Sequence, residues 1–462
     1  MISRRVHLVG IGGIGLSAIA RVLIAKGVAV SGSDLHASPL TDELAQMGAQ
    51  VFIGHRAENL GEVDVVLVTS AAQEDNPEIV AARRRGIRIA KRYDFFPELI
   101  SEKTTIAVAG THGKTTTTGL IAMILVDAGL DPDVIVGGIV PELNGNARAG
   151  NGNYFVIEAD EYDRAFLGLK PKIAVITSIE MDHPDVYRDL DDVANAFRAF
   201  MALVAHDGQV IGCGDAERVD RELNGLDAKL VTRYGFNARN DWRAADVRLN
   251  SMGGSDFNLW RKGDRMGEFA VRIPGRHNVL NALAAIAVAD RVGIDQASVR
   301  DSLNRFRGAA RRFQVKGEFQ GVTVVDDYAH HPSEIRATLA AARARYPGRE
   351  LWAVFQPHTF SRTAALLGDF ARAFEDADHV IVTEVFAARE RETSGISGAG
   401  IVERMRGQNA RMEHPDARFV AELDASVKFL AENLRTGDVL ITLGAGDVYR
   451  VGEAIAQLRQ GE

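Results

Sequence analysis

An apolar run at 105–109 passes straight into Gly110-Thr111-His112-Gly113-Lys114-Thr115-Thr116. No other stretch of this 462-residue chain restricts its fold so tightly. The run predicts a buried strand, the glycines a tight turn, and the residues from Lys114 onward a helix. Such a strand–turn–helix offers several backbone N–H groups to an anion, and the helix dipole favours negative charge at the same point. In that setting Lys114 reaches the β- and γ-phosphates of a nucleotide and the Thr115 hydroxyl ligates Mg²⁺. The strict phosphate-loop pattern needs a glycine where Val108 stands. A chance Gly-Lys-Thr at a helix start is the plain alternative. The preceding strand and four successive threonines, Thr115 to Thr118, argue against it.

The segments on either side extend this into an α/β chain. Short apolar runs at 6–9, 28–31 and 63–69 alternate with helical patterns, and the pattern lapses around 93–102, where a first boundary is expected. Further strands are expected at 154–157 and 173–177, and a long apolar helix at 278–290 is expected to close the second unit. Residues 308–313 read as a linker. Beyond it, continuous apolar runs at 322–325, 351–355, 380–383 and 439–443 suit a parallel sheet covered on both faces. Three α/β domains are thus predicted, over 1–102, 103–312 and 313–462. The length agrees with several domains.

Composition narrows the classes of partner. Hydrophobic residues make up 46% and charged residues 25%, the balance of a globular protein with ample core. A net charge of -8 argues against a nucleic-acid partner. The single cysteine, Cys213, forms no internal disulfide and fits a reducing compartment, so a cytoplasmic location is expected. Arg4-Arg5 before an apolar stretch imitates a signal peptide, but Gly10, Gly12, Gly13, Gly15, Arg21 and Lys26 interrupt it. No uncharged run approaches the ~20 residues of a membrane span, so no membrane insertion is expected. Oligomeric state leaves no mark in the sequence.

Other motifs gather around strand ends. Gly10-Ile11-Gly12-Gly13-Ile14-Gly15 contains a dinucleotide fingerprint, and Asp34 comes after it at about the distance where an acid meets a ribose hydroxyl. Glycines there also serve helix–strand packing alone, and a diphosphate with any nucleoside fits the same turn. Glu158 ends a strand and is succeeded by Asp160, Glu161 and Asp163; His183 lies beyond the next strand, in Glu180-Met181-Asp182-His183. An acid and an imidazole on the phosphate-loop edge could ligate metal bridging phosphate and substrate. A solvated loop acid is the ordinary alternative for Glu158 alone. Asn278 and Asn281 open a helix, where asparagines usually act as caps. Arg311-Arg312, in a linker, would ordinarily be surface solvation. His330-His331 suggests zinc, but no matching ligand set accompanies it.

Together these residues resemble the Mur ligase family. The resemblance spans essentially the whole chain, through Gly10–Gly15, Gly110–Thr116, residues 144–148, Glu158-Ala159-Asp160-Glu161, residues 277–281, Arg311-Arg312-Phe313, residues 326–332 and Phe355-Gln356-Pro357-His358. It implies a Rossmann-like N-terminal domain for a UDP-sugar, a central P-loop ATPase domain, and a C-terminal Rossmann-like domain that receives an amino acid. It further implies ATP-dependent joining of L-alanine to the lactyl carboxylate of UDP-N-acetylmuramate through an acyl phosphate. By resemblance Gly110, Thr111, His112, Gly113, Lys114, Thr115 and Thr116 hold the ATP phosphates, and Thr115, Glu158 and His183 serve Mg²⁺. Lys114, Glu158 and His183 form the catalytic set. Asn278 and Asn281 meet the adenine side, and Arg312 and Asp327 complete the site when the third domain closes. His358 and Arg362 face the amino acid; Gly12, Gly13 and Asp34 belong to the UDP-sugar site. Several sister ligases carry a carbamoylated lysine where Phe197-Arg198 stands here, so no such modification is expected.

Three other functions compete, one of them a non-catalytic nucleotide sensor, in which Glu158 and His183 would be superfluous. An NAD-dependent oxidoreductase would account for Gly10–Gly15 and Asp34 but leaves the second phosphate loop unexplained. A ligase adding a tripeptide to the same UDP-sugar stays within the family, but its relatives differ at the Phe-Gln-Pro-His pattern.

Overall fold

The computed structural model describes residues 3–388, 390, 391, 395–407 and 416–458. Among them the chain builds three sheets, one after another along the sequence. The first comprises β1 (Arg5–Val9), β2 (Ala29–Asp34), β3 (Gln50–Ile53), β4 (Val65–Val68) and β5 (Arg88–Ala90), all parallel in the order β3-β2-β1-β4-β5. The order reverses at β1, so the glycine-rich turn after it opens into the crevice between diverging connections, where such sheets bind ligands.

The second sheet holds β6 (Thr104–Ala109), β7 (Asp133–Val140), β8 (Gly145–Arg148), β9 (Tyr154–Glu158), β10 (Ile173–Ile176), β11 (Gln209–Cys213), β12 (Val231–Gly235), β13 (Trp242–Leu249), β14 (Ser255–Arg261) and β15 (Asp264–Val271). β6 lies between β9 and β10, parallel to both. Its residues Ile106, Val108, Ala107 and Ala109 alternate between two hydrophobic clusters, one on each face, which is why the run reads as continuously apolar. On one face the helices Lys114–Asp127 and Arg276–Arg291 pack against each other. The cluster on the other face, with Phe155, Phe166, Phe197 and Phe200, runs on into Phe95, Leu23 and Val6, so the first two domains share apolar packing.

The third sheet is β16 (Gln314–Phe319), β17 (Val322–Asp327), β18 (Leu351–Phe355), β19 (His379–Val382), β20 (Asp416–Phe419) and β21 (Val439–Leu443), in the order β16-β17-β21-β18-β19-β20. Only β16 runs antiparallel within it. The three-domain α/β architecture read from the sequence is the one observed.

Several local expectations need correction. The lapse at 93–102 is a helix, Arg92–Leu99, whose Phe95, Phe96 and Leu99 are buried; Pro97 inside it disguises the helical spacing. That helix packs against the turn Tyr162–Gly168 of the second domain, close enough that a side chain at Gly168 would strike the Tyr93 backbone. The helix Arg276–Arg291 does not close the second domain. Another, Gln296–Arg305, comes after it and docks on the phosphate-loop helix, with Ser302 donating to Asp127 at 2.6 Å. Its apolar stripe is only Val299 and Leu303, too sparse to stand out in the sequence. Arg311 is not surface solvation. Its guanidinium donates to Asp326 at 3.0 Å and to the Gly444 carbonyl at 2.7 Å, and it lies over the Tyr328 and Tyr449 rings.

Candidate active site

β6 delivers its last residue to Gly110, and the chain turns through Gly113, with φ +79°, into the helix Lys114–Asp127. A Cβ at Gly113 would stand 2.6 Å from the side-chain oxygen of Asn281, and one at Gly110 would fall on the Thr177 hydroxyl, so both positions exclude side chains. Thr111 fastens the loop to the strand end opposite: its N–H donates to the Ser178 carbonyl at 3.0 Å, and its hydroxyl accepts from Glu180 N–H at 2.9 Å. His112 N–H donates to the Ser178 hydroxyl at 2.9 Å. Lys114 turns back over the loop to donate to the Gly110 carbonyl at 2.5 Å and to Glu161 at 2.9 Å. Burial opposes its charge, but Glu161, Asp160 and Glu158 outweigh burial and raise its pKa.

The acids of the β9 end split into two roles. Glu158 accepts from the Thr115 hydroxyl at 3.2 Å and from Gly137 N–H at 2.7 Å. Gly137 matters because any side chain there would collide with that carboxylate. Burial pushes the Glu158 carboxyl upward against the pull of Lys114. Glu161 pairs with Lys114 and stands 3.9 Å from His183 Nε2. His183 itself adopts φ +53° and packs its ring on Tyr162. The hard oxygen donors of Thr115 and Glu158, already side by side, fit a Mg²⁺ ion, and His183 Nε2 faces Glu161, the acid that pairs with Lys114.

A cavity of about 340 Å³ lies between the second and third domains. Its walls include His112, Gly113, Thr115 and Thr116 from the loop, Asn278 and Asn281 from the helix Arg276–Arg291, and Arg312 and Asp327 from the third-domain entry. Eight of the residues expected to bind ATP therefore face one space. Asn278 and Asn281 are not caps. Gly275 holds the N-cap position, Asn278 donates to the Pro274 carbonyl at 2.6 Å, and Asn281 donates to Asn278 at 2.9 Å while accepting from Thr117 at 3.1 Å. The chain fixes their amides from within, leaving one edge of the pair on the cavity. Asp327 accepts from Phe313 N–H at 2.7 Å and from Ala329 N–H at 2.8 Å, and burial pushes its carboxyl up to about 6.

His330 and His331 part company. His330 contacts the Tyr328 carbonyl on its own domain, whereas His331 reaches across to the Met181 carbonyl at 3.2 Å. Among the described residues, His331, His112 and Glu180 have donor atoms within 4.8 Å of one another, a grouping invisible in the His-His pair. His358 and Arg362 also meet: the guanidinium lies 3.1 Å from His358 Nδ1 and donates to Asp182 of the second domain at 2.7 Å. Both Arg362 and Asp182 are buried, and the arginine with His183 holds the Asp182 carboxyl well below its usual range despite burial. In the first domain Asp34 accepts from Gly12 N–H at 2.9 Å, bracing the turn that Gly13 continues. The sequence marks Asp160, Glu161, Glu180 and Asp182 as acids without individual roles, and gives no sign of Glu334 or Arg92. The Arg92 guanidinium pairs with Asp160 at 2.9 Å and lies beside Gly15. Acids clustered after strand ends are the signal for the first four.

A phosphate-loop-like strand–turn–helix, an acid-bearing strand end and a third domain closing over the cavity beside them accompany full-length similarity to known Mur ligases, and the chain belongs to the Mur ligase family. Models of the Mur ligase family catalytic domain, the Mur ligase middle domain and the Mur ligase glutamate ligase domain match residues 5–104, 108–289 and 311–446. The UDP-N-acetylmuramate–L-alanine ligase of Caldanaerobacter subterraneus subsp. tengcongensis is 43% identical over 453 residues, covering 97% of this chain and 96% of its own. That of Geobacter sp. strain M21 is 45% identical over 451 residues, covering 98% and 96%. Among solved structures, UDP-N-acetylmuramate–alanine ligase from Thermotoga maritima superposes with a TM-score of 0.84 at 32% identity over 99% of both chains. A murein peptide ligase from Psychrobacter arcticus reaches 0.72 at 26% identity, covering 98% of each chain.

Proposed function

We propose that this chain joins L-alanine to the lactyl carboxylate of UDP-N-acetylmuramate, with ATP converted to ADP and inorganic phosphate, in the synthesis of peptidoglycan precursors in the cytoplasm. The observation that carries the reading is the cavity in which the phosphate loop, Asn278 and Asn281 of the second domain meet Arg312 at its boundary and Asp327 of the third. Full-length similarity to alanine ligases supports the substrates. Residues 1–102 would take the UDP-sugar, 103–312 the ATP, and 313–462 the amino acid.

Lys114, half-buried and held cationic, offsets charge on the γ-phosphoryl as it passes to the sugar carboxylate. Thr115, Glu158 and His183 would hold Mg²⁺, which when bound neutralises phosphate charge. The acyl phosphate so formed is open to water as well as to the amine of L-alanine. Enclosure of the cavity by the third domain excludes water and keeps Arg312 and Asp327 on the nucleotide. His358 and Arg362 sit at the end of β18, where an incoming amine could approach. ADP release measured with UDP-N-acetylmuramate against a panel of amino acids and the tripeptide tests the reading. L-Alanine is expected to support turnover best; preference for the tripeptide would overturn it.

A further inference from the structure

The third domain meets the phosphate-loop histidine through a carboxylate and an imidazole. Glu334 lies in the first turn of the helix Pro332–Arg345, on the wall of the nucleotide cavity. One of its oxygens stands 3.2 Å from Nδ1 of His112 and 3.6 Å from Arg312; the other accepts from the His330 N–H at 3.0 Å. The opposite nitrogen of His112 faces Glu180, 3.4 Å away, and Glu180 in turn accepts from the Ser333 hydroxyl at 2.6 Å. The His331 ring lies against the His112 ring, with centroids 4.6 Å apart. His112 thus sits between an acid of its own domain and an acid of the third. Burial disfavours its charge, but the two carboxylates more than offset this and raise its pKa to about 10. The same environment holds the Glu334 carboxyl well below its usual range, through His330, His112 and Arg312 and against burial.

We propose that Glu334 is a positioning residue of the nucleotide site: it arrives with the third domain and fixes the His112 ring and the Arg312 guanidinium on the cavity wall, so that the phosphate loop is complete only when the domains are closed. The proposal rests on the reading of this cavity as the ATP site. Glu334 serves both domains with one side chain. Its second oxygen, bonded to His330 N–H, anchors the helix start, and its first oxygen alone reaches the loop and the arginine. A purely structural role would need only the second oxygen.

The Glu334→Gln variant separates the two roles, because the amide oxygen can still accept from His330 N–H while the negative charge is gone. The expected result is a rise of about tenfold or more in KM for ATP, the scale of a hydrogen bond to a charged group, with KM for UDP-N-acetylmuramate nearly unchanged. In a His112→Asn background the same substitution should cost markedly less than in the wild type, since one of its two targets is gone. A Glu334→Gln enzyme with wild-type KM for ATP, or penalties that multiply independently in the double variant, would overturn the proposal. Failure of wild-type enzyme to release ADP would instead strike at the assigned reaction, so the two failures are distinguishable.

Discussion

Lys114 shows how much depends on the surroundings of one side chain. Its ammonium is held by two loop carbonyls and Glu161, so ATP phosphates would take over partners already aligned. Lys114→Ala should lower ADP release by on the order of 10²–10³ while UDP-sugar affinity, held in another domain, stays close to wild type. Isothermal titration with the UDP-sugar, run beside the activity assay, checks both halves. Glu78 offers a second test at this scale. It is buried in the first domain beside His7, and it accepts from Ser33 at 2.5 Å and from Asn59 at 2.5 Å. Burial alone would raise its carboxyl, but these partners bring it down to about 2. A carboxyl with a depressed folded pKa contributes stability above its unfolded value of about 4.5, and that contribution is lost as pH falls toward about 2. Thermal melts should therefore show Glu78→Gln well below wild type at pH 6, with the gap closing as pH falls from about 4.5. A gap constant with pH would mean that the carboxylate's charge contributes nothing.

At the level of elements, the phosphate loop works because a strand end, a helix start and a second helix meet without side chains between them. Gly113 combines a left-handed backbone with a contact to Asn281 that no Cβ could share. Gly113→Ala should push Asn281 away and disturb its bonds to Asn278 and Thr117, which line and support the cavity. The expected outcome is a large rise in KM for ATP with a modest loss of melting temperature, of about 1–3 kcal/mol in stability. Fluorescent-nucleotide titration beside a thermal melt distinguishes this from general unfolding. The same reasoning explains why, apart from the family resemblance, these asparagines read in the sequence as ordinary caps. Their role depends on the turn after β6 lying across the helix Arg276–Arg291, a contact between segments far apart in the chain.

For the whole molecule, a polar seam joins the second and third domains, whereas the first two share an apolar cluster. Arg362 and Asp182 form a buried pair across the second and third domains, and Glu334, His331 and Ser333 add further cross-domain contacts. Removing one partner leaves the other charge buried, a cost of about 3–5 kcal/mol to the closed state. Arg362→Ala should accordingly favour an open molecule, seen as a larger radius of gyration in small-angle scattering. It should also raise KM for L-alanine more than KM for ATP. An unchanged particle size would show that the seam tolerates the loss of this pair. The guanidinium is already engaged by Asp182 and His358, so any hold on a substrate carboxylate would be built upon that bridge.

The three-domain α/β plan, the strand–turn–helix at Gly110–Thr116, and the placing of Glu158 at one strand end and His183 beyond another were legible in the sequence. Buried parallel strands are apolar throughout, and a glycine turn must come after them if an anion is to approach the backbone. These are local constraints, and they mark consecutive residues. Which residues meet across domains was settled by folding alone. Arg311 is bound to Gly444, Arg362 to Asp182, His331 to the Met181 carbonyl, and Glu334 to the phosphate-loop histidine. Each of these pairs joins residues far apart in sequence, and a charged residue in a loop looks the same whether it faces water or another domain. The helix at Arg92–Leu99 was hidden for a related reason: Pro97 argues against helix locally, and the burial of Phe95, Phe96 and Leu99 outweighs it. Periodicity records the face a segment turns to its own core; contacts between domains have no period, and only the folded chain brings them together.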